Sequence, residues 1–248
     1  MRISDEYRTI KVLWSRELLR MLKEPSRMLG VVIQPLLFWF VIGSGFNYQT
    51  FFFPGVLAMV ILFSSIFSTI TLIDDRNSGF LQVILVGPGS RASMVIGKVL
   101  GVVTIASLQA ILFLCVAPFA GIALEQIDYG LLAVFILLGA TSMAGLGFVF
   151  AWSSPSSAAY HALMSIILIP LWILSGAMFP PKVEWIKFVA SINPLGWLVE
   201  GFRSALNGSW ANIEMNLLCL SVFCVVILMV GVILCRSGSK IRISGRSY

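Results

Sequence analysis

Charged residues are scarce in this sequence of 248 residues: Asp, Glu, Lys and Arg together make up 11% of it, whereas hydrophobic residues make up 58%. A soluble domain carries roughly 25% charged residues, which solvate its surface. The shortage of charge therefore excludes an ordinary soluble domain. It predicts an all-α membrane protein in which lipid surrounds most of the chain, organised as one transmembrane domain over 1–248.

Residues that carry catalysis or bind metals are also scarce. The single histidine, His161, falls near a predicted membrane boundary, and the four cysteines lie in apolar runs without paired spacing. The motifs HExxH, GxSxG and CxxC do not occur, and Gly97-Lys98 lacks the first glycine and the hydroxyl residue of a GxxxxGK[ST] phosphate-binding loop. We therefore expect no catalytic residue, no cofactor site and no metal site in this chain.

Long uncharged stretches predict the membrane spans. Residues 28–73 and 129–181 contain no charged residue, and each stretch is too long for one helix, because about 20 apolar residues cross roughly 30 Å of hydrocarbon. Polar, turn-forming residues divide each of them into two. The predicted spans number six: about 28–46, 54–73, 94–122, 130–152, 162–179 and 213–235.

The basic residues predict the orientation of these spans. Fourteen of the 17 Lys and Arg residues lie in 1–27, around the loop after the second span, or in the tail 236–248. Loops rich in Lys and Arg remain in the cytoplasm. An even number of spans also places both termini on one side, so we expect both termini to be cytoplasmic.

The first 27 residues form a separate element. Apolar residues recur at helical spacing from Tyr7 to Met21, and basic residues lie off that stripe. This pattern predicts an amphipathic helix that lies flat on the cytoplasmic leaflet. It is either a membrane anchor alone or an anchor that also contacts a cytoplasmic partner.

The loop between the second and third spans predicts a short helix. Helical residues precede Gly87-Pro88-Gly89, where the chain must turn, and Ser90 or Ser93 can cap the next helix. Gly97 and Gly101 then give the third span a face of small residues. Taken alone, the loop is either an ordinary connector or a docking element.

Residues 180–210 predict two short helices that break at Asn193-Pro194. They are too short to span a membrane and too apolar for a solvated loop. The segment is therefore either a hairpin that re-enters the outer leaflet or one that lies on the outer surface. Glu200 and Arg203, three residues apart on one face, are expected to pair.

These features together resemble the type-two ABC exporter permeases, a family with drug-, polysaccharide- and lipid-exporting members. The resemblance covers nearly the whole chain. It depends on two groups of residues in order along six spans: Gly79, Phe80, Leu81, Pro88, Ser90, Arg91, Gly97 and Lys98, and then Asn193, Pro194, Glu200, Gly201 and Arg203.

The resemblance implies a role for each group. Residues 76–86 would be a coupling helix that docks on a separate ATPase, with Pro88, Ser90 and Arg91 turning the chain into the third span. Residues 154–161 would form a second, smaller cytoplasmic contact. Asn193, Pro194, Glu200 and Arg203 would belong to a gate at the outer end of the pathway. Gln82 replaces a Glu that many relatives carry, so a salt bridge to the ATPase through that position is not expected.

The resemblance also implies partners and a location. They are two ATPase subunits that use ATP and Mg²⁺, a second permease copy in a homodimer or heterodimer, and membrane lipids, with no nucleic acid. The location is the prokaryotic plasma (inner) membrane. Alternatives are a membrane assembly or scaffolding factor without a transport cycle, a secondary transporter, or an intramembrane enzyme. The predicted span cores lack the titratable groups that the last two need.

Overall fold

The computed structural model of the protein describes residues 3–46, 48–87, 89–210 and 213–237, and within these ranges the chain is helical and has no β-strand. Beyond residue 237, the predicted tail lies outside the described residues. Two short 3₁₀ turns follow α6. The helices are α1 (Ile3–Lys23), α2 (Pro25–Gly45), α3 (Gln49–Thr69), α4 (Thr71–Asn77), α5 (Phe80–Val86), α6 (Arg91–Leu114), α7 (Tyr129–Ser153), α8 (Ser157–Ile173), α9 (Glu184–Ile192), α10 (Pro194–Asn207) and α11 (Ile213–Ser237).

Helix α3 forms the centre of the bundle. It packs against α2, α6, α7 and α10, and its residues are buried almost without interruption from Phe52 to Leu62. A helix that is apolar on all sides has no face for water and becomes the core. The aromatic rings add specific contacts, such as the stacked rings of Phe53 and Phe113, whose centroids lie 4.8 Å apart.

Helix α1 packs lengthwise on α6 because two glycines let the backbones approach. A β-carbon on Gly97 would lie 3.0 Å from the Leu13 side chain, and one on Gly101 would lie 2.6 Å from that of Glu17. The small-residue face predicted early in the third span is therefore present. Its neighbour is the N-terminal helix of the same chain.

By length and composition, four helical segments can cross a membrane: Gln49–Asn77, Arg91–Leu114, Tyr129–Ser153 and Ile213–Arg236. Two shorter apolar helices, Leu29–Gly45 and Ser157–Ile173, accompany them. Only 22% of the apolar window in α11 is buried, against 83% for the segment that contains α3. An apolar helix that leaves most of its surface uncovered needs lipid as its solvent.

Several helix ends differ from the predicted spans for local reasons. Helix α8 begins at Ser157 because the Ser156 hydroxyl accepts a hydrogen bond from the Ala159 amide. It ends at Ile173, shortly before Gly176, whose φ of +77° turns the chain. The helix of the third span ends at Leu114, and the 3₁₀ turn Ala117–Ala120 follows it.

The bundle has two ends with different contents. The first turn of α3 contacts α10, where the Arg203 guanidinium lies over the Phe51 ring. The other end of α3 leads into α4 and α5, and α1 lies beside them. We call these the hairpin end, formed by α9 and α10, and the charged end, formed by α1, α4, α5 and the start of α6.

Candidate functional site

Three helices meet at the charged end around a buried lysine. The Lys98 ammonium on α6 forms ion pairs with Glu17 on α1 and Asp75 on α4. All three residues are almost completely buried, with exposures of 3%, 3% and 1%. Such residues are rarely buried unless they are paired. The pairing thus explains how a lysine and two carboxylates can lie inside an apolar protein.

Arginines extend this group toward the surface. The Arg16 guanidinium donates to both carboxylate oxygens of Asp75, at 2.7 and 2.9 Å, and Arg20 donates to Asp74 at 2.7 Å. The hydrogen bond to Asp75 raises the pKa of Arg16 above its ordinary value. We call Arg16, Glu17, Arg20, Asp74, Asp75 and Lys98 the charged cluster. Its formal charges sum to zero, so each buried charge has a partner.

Helix α5 lies directly against the charged cluster. The Phe80 ring lies under the Arg16 guanidinium, 3.7 Å from ring centroid to carbon, an arrangement that attracts the cation. Leu81 is 1% exposed and packs into the core. Phe80 and Leu81 therefore bind α5 to the rest of its own chain. These two predicted coupling residues thus make contacts within the chain.

The opposite face of α5 has no partner within the described chain. Gln82 is exposed, and Val83 and Val86 are 69% and 88% exposed. The predicted coupling helix, 76–86, is divided by Gly79, whose φ of +76° separates α4 from α5. The division aims the exposed face of α5 away from the bundle.

The turn from α5 into α6 is fixed by side chains. Ser90 caps α6 by accepting a hydrogen bond from the Ser93 amide at 3.0 Å, and its own hydroxyl donates to Glu6 at 2.7 Å. Hydrogen bonds from Ser93 and Ser90 hold the pKa of the Glu6 carboxyl below its ordinary value. Arg91 donates to the main-chain carbonyls at the end of α11. Pro88 lies outside the described residues.

The second predicted contact segment, 154–161, also meets α4. The Arg76 guanidinium donates to the carbonyl oxygens of Trp152, at 3.2 Å, and Ser154. Tyr160 is buried and shares a hydrogen bond of 2.7 Å with Thr69 at the end of α3, whereas His161 is exposed. The structure thus brings the two predicted contact segments together at the charged end.

At the hairpin end, Asn193 determines how the chain turns between α9 and α10. Its side-chain amide donates to the Leu171 carbonyl at 2.6 Å, and its amide oxygen accepts from the Leu195 N–H at 3.0 Å. Pro194 occupies the first position of α10, where no N–H is needed. The predicted ion pair between Glu200 and Arg203 is present.

The charged cluster was not predicted from the sequence, and neither Lys98 nor its two carboxylate partners was expected to form an ion pair. The apolar stripe predicted from Tyr7 to Met21 contains the buried Met21, but it did not include Leu13 or Glu17, which are also buried. A glutamate at helical spacing within a buried stripe is the signal that could have found the cluster, since a buried carboxylate requires a cation.

The described part of the chain holds no group of three His, Cys, Asp or Glu residues placed to bind a metal ion. The groups that are assembled are ion pairs, helix caps and an exposed apolar face. They position helices relative to one another.

The apolar helices define a multi-pass membrane protein. The model of the ABC-2 type transporter family matches residues 8–207. The chain belongs to this family, and it is accordingly a membrane permease component of an ABC transporter and not itself an enzyme. The family implies an ATPase as partner subunit.

Individual relatives agree with this assignment. The putative transport permease ycf38 of Cyanophora paradoxa is 26% identical over 231 residues, which cover 86% of this chain and 79% of the relative. Nodulation protein J of Neorhizobium galegae is 26% identical, with 90% and 91% covered. The daunorubicin resistance ABC transporter permease protein DrrB1 of Streptomyces coeruleorubidus is 23% identical, with 86% and 80% covered.

Proposed function

We propose that this chain is the permease subunit of an ATP-driven exporter, in which two permeases form the substrate pathway and two separate ATPase subunits supply the energy. ATP and Mg²⁺ bind to the ATPases. The charged end faces the cytoplasm, the hairpin end faces outward, and six segments cross the plasma membrane of a prokaryote. The family assignment supports the class, and the charged end supports the coupling.

The observation that carries the proposal is the two-sided character of α5. Val83 and Val86 form an exposed apolar face three residues apart, and Phe80 and Leu81 bind the opposite face to the protein. Exposed apolar side chains in one small area indicate a surface that another protein covers. The described chain leaves most of the surface of these two valines exposed, and a groove of the ATPase is the occupant that we propose.

The charged cluster gives a physical path for coupling. A displacement of α5 moves Phe80, which contacts Arg16; Arg16 is bonded to Asp75, and Lys98 joins Asp75 to Glu17. Closure of the two ATPases would therefore shift α5, α1 and the start of α6 together. The charged cluster allows this joint movement because its ion pairs and hydrogen bonds connect separate helices.

The six-span topology requires α2 and α8 to cross the membrane despite their shorter apolar lengths. Exposed apolar residues on both helices support this placement, among them Leu37, Phe40, Ile166 and Ile169. Lys and Arg are concentrated at the charged end and the tail, which supports a cytoplasmic location for that end.

An apolar cleft supports an amphipathic cargo. The ends of α2 and α8 and the start of α9 enclose about 590 Å³, lined by residues such as Ile42, Phe46 and Met178, with Lys182 as a lining cation. A mostly apolar cleft with one cation fits a molecule with an apolar body and a polar head. The hairpin of α9 and α10 borders this cleft and would gate its outer end.

The test is to change the exposed face of α5 without disturbing its buried face. Replacing Val83 and Val86 together by Asp places two charges in the proposed interface. Val183→Asp changes an apolar residue at the hairpin end that is 50% exposed, and it serves as the control for co-purification. Loss of an interface contact worth about 1.4 kcal/mol or more weakens binding about tenfold or more. We expect the double variant to insert normally but to co-purify with at least tenfold less ATPase.

Two results would contradict this assignment. One is wild-type co-purification and ATP-dependent transport by the Val83→Asp/Val86→Asp variant. The other is a chain that never co-purifies with an ATPase, even after crosslinking, which would favour the assembly-factor function. Phe80→Asp and Leu81→Asp are less suitable variants, because these side chains contact their own chain and their replacement would disturb its fold.

A further inference from the structure

A cavity lies at the hairpin end, between α9, α10 and the first turns of α11. Its volume is about 740 Å³, within the range of small-molecule sites. Unlike the apolar cleft beside α2, it is lined by many polar side chains. None of its lining residues belongs to the charged cluster or to the exposed face of α5.

The charged residues of this cavity are already neutralised. The Lys187 ammonium donates to Glu184 at 2.7 Å, and the Arg203 guanidinium pairs with Glu200. Arg203 also lies over the Phe51 ring. A phosphate or carboxylate would have to displace these partners and would meet the Glu200 carboxylate, which itself lines the cavity. The electrostatics therefore disfavour an anionic ligand.

The uncharged polar groups, in contrast, are available. Within the described part of the chain, the side-chain amides of Asn207 and Asn216 have no hydrogen-bond partner, and both line the cavity. Each amide offers two N–H donors and one acceptor oxygen. The hydroxyls of Ser204 and Ser209 lie in the same lining and add groups that both donate and accept.

The indole ring of Trp197 also lines the cavity. Its N–H donates to the Ser191 carbonyl at 2.7 Å, which fixes the orientation of the ring. Its remaining surface is apolar, and Met215 and Pro181 extend that apolar part of the lining. A ligand that matches these groups has hydroxyls along its edges and C–H groups on its faces.

We propose that this cavity binds a neutral saccharide. Hydroxyl groups donate and accept in the same way as the amides of Asn207 and Asn216, and the C–H face of a sugar ring fits against Trp197. In the orientation of the proposed function the cavity opens outward. The site is therefore an outer-side saccharide site, separate from the ATPase contact on α5.

The experiment uses the full chain, with any ATPase that co-purifies, in lipid nanodiscs free of glycoside detergent. An array of immobilised neutral and acidic glycans serves as the probe. We expect retention on neutral glycans and a loss of at least tenfold in the Asn207→Ala/Asn216→Ala variant. Asn77→Ala removes an exposed amide at the charged end and should bind as the wild type does.

A second measurement locates the ligand without changing the amides. Cys219 lines the cavity, Cys224 and Cys235 are buried, and Cys115 is exposed. In a Cys115→Ser background, the retained neutral oligosaccharide should slow maleimide labelling of Cys219, whereas inorganic phosphate should not.

Three outcomes would overturn the proposal: no retention on any neutral glycan, retention that the double variant leaves unchanged, or retention confined to acidic glycans together with protection of Cys219 by phosphate. The last would make the cavity an anion site. None of these results bears on the ATPase contact, because co-purification with Val83 and Val86 variants tests that contact independently.

Discussion

Both ends of the molecule contain ion pairs, but the pairs at one end lie within single helices and those at the other end connect separate helices. At the hairpin end, Lys187 pairs with Glu184 and Arg203 with Glu200, each three residues away on the same helix. At the charged end, Lys98 pairs with Glu17 and Asp75, which lie 81 and 23 residues away on two other helices. One set stabilises single helices, and the other fixes helices to each other.

The paired side chains at the two ends also differ in how deeply they are buried. The Glu184 side chain is 88% exposed and that of Lys187 is 51% exposed, whereas those of Lys98, Glu17 and Asp75 are at most 4% exposed. Water screens an exposed pair, so its net contribution is small. A buried pair loses its hydration and depends on every partner. Charged residues therefore join separate helices at the charged end, whereas the pair Lys187–Glu184 at the hairpin end remains largely in water.

The largest effect is expected from Lys98→Met at the charged end. The change leaves the Glu17 and Asp75 carboxylates buried with fewer cations, and removal of one member of a buried ion pair costs about 3–5 kcal/mol. We expect a loss of that size in the free energy of unfolding, measured by reversible denaturant unfolding in detergent micelles. The matched change Lys187→Met should cost at most about 1 kcal/mol.

A second change tests whether charge or shape causes the loss. Adding Glu17→Gln to Lys98→Met removes one of the uncompensated charges and should recover part of the stability. Equal effects of Lys98→Met and Lys187→Met would show that the two ends do not differ and would remove the role given to the charged cluster.

Asn193→Ala is expected to have the next largest effect. The hairpin end depends on this buried amide more than on its ion pairs, because Asn193 bonds both the Leu171 carbonyl and the Leu195 N–H. Leaving such buried groups without a partner costs about 1–3 kcal/mol, again measured as the free energy of unfolding. Asn193→Asp keeps an acceptor for the Leu195 N–H but buries a carboxylate without a cation beside the Leu171 carbonyl, so it should cost at least as much as Asn193→Ala. A neutral Asn193→Ala change would mean that packing alone holds the hairpin.

The smallest expected effect is a pH dependence at the start of α1. The folded pKa of Glu6 lies below its ordinary value of 4.5, so its contribution is present above that pH and is lost as the pH falls through the folded pKa. Hydrogen exchange at the Ser90 amide, which donates to Glu6, should therefore increase at low pH in the wild type. The Glu6→Gln variant should lack this added increase. Comparing the variant with the wild type at each pH cancels the intrinsic exchange rate. Parallel pH curves for the two proteins would contradict the prediction.

The sequence predicted some contacts because their causes are local. Ser90 was one of two candidates for the cap of α6, and a capping hydroxyl acts within three residues. The break at Asn193-Pro194 and the pairing of Glu200 with Arg203 are also short-range. The division of residues 76–86 at Gly79 was not predicted, because a glycine permits a left-handed turn without requiring one.

The amino-acid composition is enough to predict a helical membrane protein, since the shortage of charge leaves lipid as the solvent for most of its surface. Small residues, caps and turns can also be located from the sequence, because they act over a few residues. The packing of the helices was needed to show that Glu17, Asp75 and Lys98 meet, that Leu81 is buried while Val83 and Val86 are exposed, and that Asn207 and Asn216 line one cavity. Such choices depend on which helix lies beside which, and residues far apart in the chain acquire partners only when the helices pack.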